Sequence, residues 1–176
     1  MRVSADQYRA AMRCHPAGVV IVTMTSPKGP VGFTATSFAS LSLNPPLVSF
    51  NITNTSSSID AMRVAKSVVI HFTGADQLEL AQRFSRSAED RFADRSLWTL
   101  LSTGEPVLNN VPVWLRAQVE QLVPLGDSTL VVGGVRQIHS EQTSAQPEPL
   151  IYHGGNYLRT APLVDGAASC SGAPRR

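Results

Sequence analysis

The chain has 176 residues, of which 43% are hydrophobic, and a formal net charge of +2 at pH 7. This length suits one domain with a packed core, and the small, scattered charge argues against a nucleic-acid-binding surface. No apolar run reaches the roughly 20 residues of a membrane span. Two isolated cysteines, Cys14 and Cys170, favour neither a disulfide framework nor a metal site. We expect a cytoplasmic protein that binds no metal, DNA, RNA or membrane.

The first elements are a short helix and a hairpin. Residues 4–7 have the form of a capping box, and Pro16 ends the helix that follows. Residues 18–24 are rich in β-branched side chains and predict a buried strand. The turn at residues 26–30 predicts that the strand from Val31 returns beside it.

The next strand-like stretch is rich in hydroxyl side chains and ends at two prolines, Pro45 and Pro46. Its hydroxyl residues are Thr34, Thr36, Ser37, Ser40 and Ser42. Small side chains let a ligand lie close to the backbone, and hydroxyl and N–H groups can bind a polar planar heterocycle. The alternative interpretation is a Ser/Thr-rich edge strand without a ligand.

Residues 47–53 alternate, with Val48, Phe50 and Ile52 on one face of a predicted strand. The Ser-rich run 54–58 then leads into a helix that begins near Ile59. The start of a helix presents unpaired N–H groups, and together with serine hydroxyls these could bind a phosphate. The alternative is that one serine caps the helix and the others belong to the loop.

The remaining pattern predicts further strands and one helix. Strands are expected at 67–73, 114–123, 129–138 and 150–153, and a helix from Asp76. His71 lies in an apolar strand, where a hydrogen-bonded structural role is expected. Residues 85–110 predict an irregular connection, and 160–176 a disordered tail after one domain, 1–159. Short turns between strands favour an antiparallel barrel.

Three segments together resemble the flavin reductase-like family. They are Gly-Phe-Thr-Ala-Thr-Ser-Phe at 32–38, Ser-x-Ser-Leu-x-Pro-Pro-Leu at 40–47 and the Ser-rich turn at 54–58. The resemblance extends over about residues 8–158. It implies a mostly β fold, a six-stranded antiparallel split β-barrel of the FMN-binding type. It also implies a homodimeric reductase that transfers hydride from NADH or NADPH to FMN or FAD and supplies reduced flavin to a partner monooxygenase.

The resemblance also implies which residues hold the ligands. The flavin ring and ribityl chain are assigned to Thr34, Ala35, Thr36 and Ser37, and the neighbouring wall to Phe50, Asn51 and Thr53. The phosphate is assigned to Ser56 and Ser58, and a flanking position to Arg83 and Phe84. The nicotinamide side is assigned to His15, Ser128, His153 and Tyr157. No protein side chain is expected to be catalytic, because the flavin carries the hydride chemistry.

One position departs from the family pattern. Many of these reductases carry Gly-Asp-His where this chain has Gly126-Asp127-Ser128. Ser128 can form hydrogen bonds but cannot supply a cation near neutral pH. The departure leaves open a flavin-binding carrier without turnover. A third alternative is a split-barrel oxidase that acts on a phosphorylated pyridine, or a reductase that uses a deazaflavin. Oxidases of the phosphorylated-pyridine type tend to bind the phosphate with Arg and Lys, and residues 54–58 contain neither, which argues against that alternative.

Overall fold

The computed structural model describes residues 2–141 and 148–161. This part of the chain contains twelve strands and three α-helices. None of these three helices is long and apolar enough to cross a membrane. The helices are α1 (Ala5–Arg13), α2 (Ile59–Val64) and α3 (Leu78–Ser85). The strands are β1 (Ala17–Gly18), β2 (Val20–Ser26), β3 (Gly29–Ala35), β4 (Ala39–Leu43), β5 (Pro46–Thr53), β6 (Ser67–Phe72), β7 (Trp98–Leu100), β8 (Pro106–Leu108), β9 (Val113–Leu125), β10 (Ser128–Ser140), β11 (Leu150–His153) and β12 (Asn156–Arg159). Residues 162–176 of the predicted tail and 142–147 of the loop before β11 lie outside the described residues.

Seven strands form one antiparallel sheet in the order β3-β2-β6-β9-β10-β5-β4. Both predicted hairpins, β2 with β3 and β9 with β10, are present. The long strands β9 and β10 shift register twice, and such bulges bend a sheet so that it curls. The edge strands β3 and β4 do not pair with each other, which leaves the barrel split. The predicted antiparallel split barrel is confirmed, with seven strands rather than six because β4 adds to β5.

Strand β5 connects the core to the outer surface. Val48, Phe50 and Ile52 are buried as their alternation predicts, and the Phe50 ring lies 6.1 Å from that of Phe33. Burying side chains of this size contributes about 2–3 kcal/mol each. Asn51, on the opposite face, is exposed. The apolar face therefore anchors β5 and leaves its polar face available.

The predicted structural role of His71 is confirmed. Its ring is fully buried between β2 and β8, and burial lowers its pKa to about 4, against the opposing effect of the backbone hydrogen bond. Nδ1 lies 3.0 Å from the carbonyl oxygen of Ile21, and Nε2 accepts the N–H of Leu108 at 3.1 Å. A neutral imidazole satisfies both contacts, donating through Nδ1 and accepting through Nε2.

Two stretches differ from the prediction. Residues 85–110 are not an irregular connection throughout, since they contain the paired strands β7 and β8. The ring of Phe92 packs edge to face on Phe84 and Trp98, at 5.1 and 5.3 Å. The predicted last strand, β11, is followed by β12, because Gly154 and Gly155 have positive φ angles of 59° and 91° and close a tight turn.

Candidate functional site

A cleft of about 460 Å³ lies at the split in the barrel, between the end of β3 and the end of β5. Its walls include eight of the predicted site residues: Thr34, Ala35, Thr36, Ser37, Asn51, Thr53, Ser56 and Phe84. Strand β3 is an edge strand, so its backbone groups on the side away from β2 are not used by the sheet. The cleft therefore offers both backbone and hydroxyl hydrogen-bonding groups.

The three hydroxyls nearest the split have different partners. Thr34 donates to the carbonyl oxygen of Ala81 at 2.6 Å and joins β3 to α3. Ser37 accepts the backbone N–H of Asn51 at 2.8 Å and thus bridges the split where no strand pairing exists. Thr36 is exposed, and its hydroxyl forms no hydrogen bond to the rest of the described chain. Thr36 is therefore the hydroxyl of this group that is available to a ligand.

Phe84, which lines the cleft, lies in close contact with Gly32 of β3. A Cβ atom at Gly32 would lie 2.8 Å from Cε1 of Phe84 and 2.9 Å from the carbonyl oxygen of Val22. Neither distance is possible for a real side chain without movement of its neighbours. The glycine lets the buried Phe84 ring lie directly on β3.

Three predicted flavin-site residues are not brought to the cleft. Phe50 points into the core, because adjacent residues of a strand face opposite sides and Asn51 takes the outer one. Ser58 is fully buried and donates to the carbonyl oxygen of Gly32 at 3.4 Å, so it neither lines the cleft nor caps α2. Arg83 lies in a separate surface hollow, with its guanidinium 3.5 Å from the carbonyl oxygen of Asp90.

Ser57 and Arg91 also line the cleft. Ser57 belongs to the Ser-rich run 54–58, for which the sequence predicts phosphate binding, whereas the sequence did not single out Arg91. The Arg91 guanidinium reaches the Ser-rich turn and donates to the hydroxyls of Ser57 and Ser58 at 3.4 and 3.2 Å. Residues 54–58 contain no basic residue, yet the fold brings one to them from more than 30 positions along the chain. The sequence carries no local signal for this contact, because residues 85–110 lack periodicity.

A second, larger cavity of about 830 Å³ adjoins the cleft and shares Thr36 and Ser37 with it. It brings together His15 and His153, two of the residues predicted for the nicotinamide side. Arg13, on α1, also lines it. The carbonyl oxygen of Arg13 accepts the N–H of Gly154 at 3.1 Å, which joins the end of α1 to the β11–β12 turn.

The other two predicted nicotinamide-side residues do not line either cavity. Ser128 begins β10 opposite Thr53, and its hydroxyl donates to Oδ1 of Asp127 at 3.0 Å. The ring of Tyr157 packs against Tyr152 with the centroids 5.1 Å apart. Within residues 2–141 and 148–161, no group of three or more His, Cys, Asp or Glu side chains is placed to hold a metal ion.

The split antiparallel barrel, with two adjoining cavities at its open edge, places the protein among the β-barrels that bind small ligands. The sequence model of the family called flavin reductase like domain matches residues 12–161. The NADH:FMN oxidoreductase of Rhodococcus qingshengii is 59% identical over 162 residues, which are 92% of this chain and 84% of that protein. The chain therefore belongs to the flavin reductase-like family.

Two further relatives extend this comparison. The reductase component of the flavin-dependent trigonelline monooxygenase of Acinetobacter baylyi is 33% identical over 88% of this chain and 49% of that protein. The crystal structure of a flavin reductase domain protein from Arthrobacter sp. FB24 is 34% identical, with a TM-score of 0.84. That match covers 93% of this chain and 99% of the Arthrobacter chain.

The residues of the cleft fit a flavin nucleotide. Near Thr36 the wall offers uncharged donors and acceptors suited to a polar ring, whereas at the other end Ser56, Ser57 and Arg91 offer donors suited to an anion. Nε of Arg91 is buried and has no hydrogen-bond partner among the described residues. An orphaned cationic donor at that end fits a ligand that carries a phosphate.

Proposed function

We propose that the protein is an NADH-dependent flavin reductase that uses FMN. The observation that carries this proposal is that the cleft and the larger cavity meet at Thr36 and Ser37. Two ligands bound in them would be neighbours, as direct hydride transfer requires. The names of the relatives support NADH and FMN as the reactants, rather than NADPH and FAD.

In this proposal the side chains of the cleft bind and orient the flavin. The bound flavin would supply the hydride acceptor, which no side chain of the protein can replace. The edge of β3 and the Thr36 hydroxyl would hold the polar rim of the ring, and Asn51 and Thr53 would form the opposite wall. Such preorganised donors act without reorganising during the reaction.

The second cavity would hold the nicotinamide nucleotide. His15 and His153 both line it, and an imidazole can donate or accept a hydrogen bond to a carboxamide. Ser128, where many relatives carry histidine, is engaged with Asp127 and does not reach this cavity. We therefore assign the contacts to the nicotinamide to His15 and His153 and not to Ser128.

We further propose a homodimer that supplies reduced flavin to a partner monooxygenase in the cytoplasm. A relative named as the reductase component of a monooxygenase supports the partner. The edge strand β4 supports the dimer, since Leu41 and Leu43 are 52% and 92% exposed there. An apolar edge strand is a poor surface to leave in water, and a second copy of the chain could cover it. Light scattering of the purified protein measures the oligomeric state.

The test of the reductase is NADH and NADPH oxidation by the full chain, with FMN, with FAD and without flavin. We expect oxidation that depends on FMN and is faster with NADH. Thr36→Val removes the free hydroxyl at nearly constant volume and should raise the KM for FMN roughly three- to tenfold. Thr99→Val, at an exposed position of β7, is the matched control. FMN binding without oxidation would support the carrier alternative instead, and neither binding nor oxidation would contradict both.

A further inference from the structure

Helix α1 forms one wall of the larger cavity without being packed into the protein. Arg9, Met12 and Arg13 line that cavity, and their spacing along the chain places them on one face of the helix. None of the residues of α1 is buried. Among the described residues, the hydrogen bond that joins α1 to the barrel runs from the N–H of Gly154 to the carbonyl oxygen of Arg13. Burial of apolar surface therefore does not explain why α1 lies beside this cavity.

The fixed charges that line the larger cavity are all positive. They belong to Arg9 and Arg13, and no Asp or Glu of the described chain is part of the lining. Arg9 pairs with Asp6 on the exposed surface of α1 at 2.6 Å. Arg13 takes part in none of the ion pairs formed by residues 2–141 and 148–161. The cavity therefore favours an anionic ligand, and Arg13 is the cation without a counter-ion.

The size of the cavity and the place of the arginines indicate which part of the ligand is anionic. The cavity has about 830 Å³, against about 460 Å³ for the flavin cleft, and so has room for much more than a nicotinamide ring. Neither arginine lines the flavin cleft, so both charges face the second ligand. A nicotinamide dinucleotide carries an anionic diphosphate between its two nucleosides, and the planar donor fork of arginine suits phosphate oxygens.

We propose that Arg13, assisted by Arg9, binds the diphosphate of the nicotinamide dinucleotide and thereby holds α1 against the bound substrate. The inference rests on the proposed function, to which it adds the part of the substrate that α1 recognises. NADH and NADPH share the diphosphate, so these arginines strengthen the binding of both and do not choose between them.

The first experiment compares NADH with N-benzyldihydronicotinamide, a neutral donor that has the same ring and no phosphate. Both donors break one ring C–H bond, pass the hydride to FMN and become the pyridinium. Arg13→Gln should raise the KM for NADH and for NADPH roughly five- to twentyfold and that for the neutral donor less than about twofold. Arg13→Lys should recover part of the loss, since it restores the charge but not the fork. An equal rise for the neutral donor, or a rise confined to NADPH, would overturn the proposal.

Arg9→Gln should have a smaller effect than Arg13→Gln, because Asp6 already compensates the charge of Arg9. Arg63→Gln is the matched control, since Arg63 of α2 pairs with Asp60 in the same spacing and does not line the cavity. We expect no change in any KM for Arg63→Gln. A rise equal to that of Arg13→Gln would assign the effect to net charge and overturn the proposal.

The second experiment measures binding of ADP-ribose to the full chain by calorimetry, without flavin or hydride transfer. ADP-ribose keeps the diphosphate of NADH and lacks the nicotinamide. Arg13→Gln should weaken its binding roughly five- to twentyfold. Equal binding to both proteins would overturn the proposal whatever the activity. Arg13-dependent binding without any NADH oxidation would support the diphosphate site and contradict the reductase.

Hydrogen exchange tests whether α1 itself is held by the ligand. An exposed helix with so few contacts opens easily, so its amides should exchange quickly in the free protein. Saturation with ADP-ribose should slow exchange in α1 of the wild-type chain, with α2 as the internal control. Because no residue of α1 is buried, Arg13→Gln is expected to fold, and in this variant the protection of α1 should be lost. Unchanged exchange in α1 of the saturated wild-type protein would overturn the assignment.

Discussion

Glu105 and Arg91 are both charged side chains withdrawn from solvent, but only Glu105 has a charge partner. Oε1 of Glu105 lies 2.7 Å from Nη2 of Arg116, and the hydroxyls of Ser67 and Thr103 donate to the same carboxylate. Burial raises the pKa of Glu105, but these hydrogen bonds outweigh burial and lower the pKa to about 2. Arg91 has carbonyl and hydroxyl partners alone.

The difference separates a charge whose partners all lie within the protein from one that borders an open cleft. The acceptors of Glu105 are satisfied by donors on β6, on β9 and beside β8, so the network is complete without a ligand. At Arg91 one buried donor, Nε, is left without a partner beside an open cleft. The Glu105 network therefore has a structural role, whereas the unpartnered Nε of Arg91 is open to a ligand in the cleft.

The largest expected effect comes from breaking the completed network. Glu105→Gln leaves Arg116, which is 20% exposed, without its counter-ion and should lower the free energy of unfolding by roughly 3–5 kcal/mol. FMN affinity of the folded variant should be unchanged. Urea denaturation and flavin binding measure the two quantities.

Glu120→Gln is the matched control for this change. Glu120 makes the same kind of contact with Arg136 but is 38% exposed, so its loss should be below about 1 kcal/mol. Equal losses for the two variants would mean that burial does not distinguish these pairs.

A second effect is loss of stability in acid. The pKa of buried His71 is lowered to about 4, so between pH 6.5 and pH 4 the unfolded chain binds a proton that the folded chain does not. Stability should therefore fall as the pH is lowered through that window, by about 3 kcal/mol in all. Glu105, with its pKa lowered to about 2, should add a further loss as the pH falls from 4.5 toward 2.

Two variants identify the residue that causes the loss of stability in each pH range. Glu105→Gln should flatten the lower window, and His71→Gln the upper one, in urea denaturation measured across the pH range. If the upper window keeps its slope in His71→Gln, the proton uptake belongs to another group.

Gly32→Ala should lower both the stability of the protein and its affinity for FMN, with a smaller loss of stability than the changes above. The added Cβ would approach Phe84 and the backbone of Val22, and overpacking of this kind costs about 1–3 kcal/mol. Because the carbonyl oxygen of Gly32 also accepts from Arg91, affinity for FMN should fall as well. Calorimetry and flavin binding measure the two effects. Gly18→Ala, whose Cβ would have no neighbour within 4 Å, is the control, and an equal loss there would contradict the packing argument.

Local patterns in the sequence predicted the barrel and part of the cleft. The alternation of β5 and the turns of the two hairpins depend on residues close together in the sequence, and the pattern of apolar and polar residues predicts such local features. Thr34, Thr36 and Ser37 were accessible to prediction for the same reason, since they lie on one short segment.

The contacts that complete the cleft depend on tertiary structure. Arg91 meets Ser58 across 33 positions, and nothing near either residue indicates the pairing. Ser58 turns inward to Gly32 instead of capping α2, although a serine before a helix favours a cap. Phe50 was assigned to the cleft by resemblance, whereas the strand's own alternation already placed its side chain in the core.

The smallest effect, and the sharpest contrast with Arg91, is expected at Ser37. Ser37→Ala removes the hydroxyl that joins Ser37 to the N–H of Asn51 across the split, and should lower stability by about 1 kcal/mol or less because both residues are exposed. It should weaken FMN and riboflavin binding by the same factor, below about tenfold, since the bridge frames the end of the cleft that both flavins share. Ser40→Ala, at an exposed hydroxyl of β4, should change neither. Fluorescence quenching with both flavins separates the two roles: equal losses follow from loss of the bridge, whereas a loss confined to FMN would place Ser37 at the phosphate end and contradict the division of the cleft.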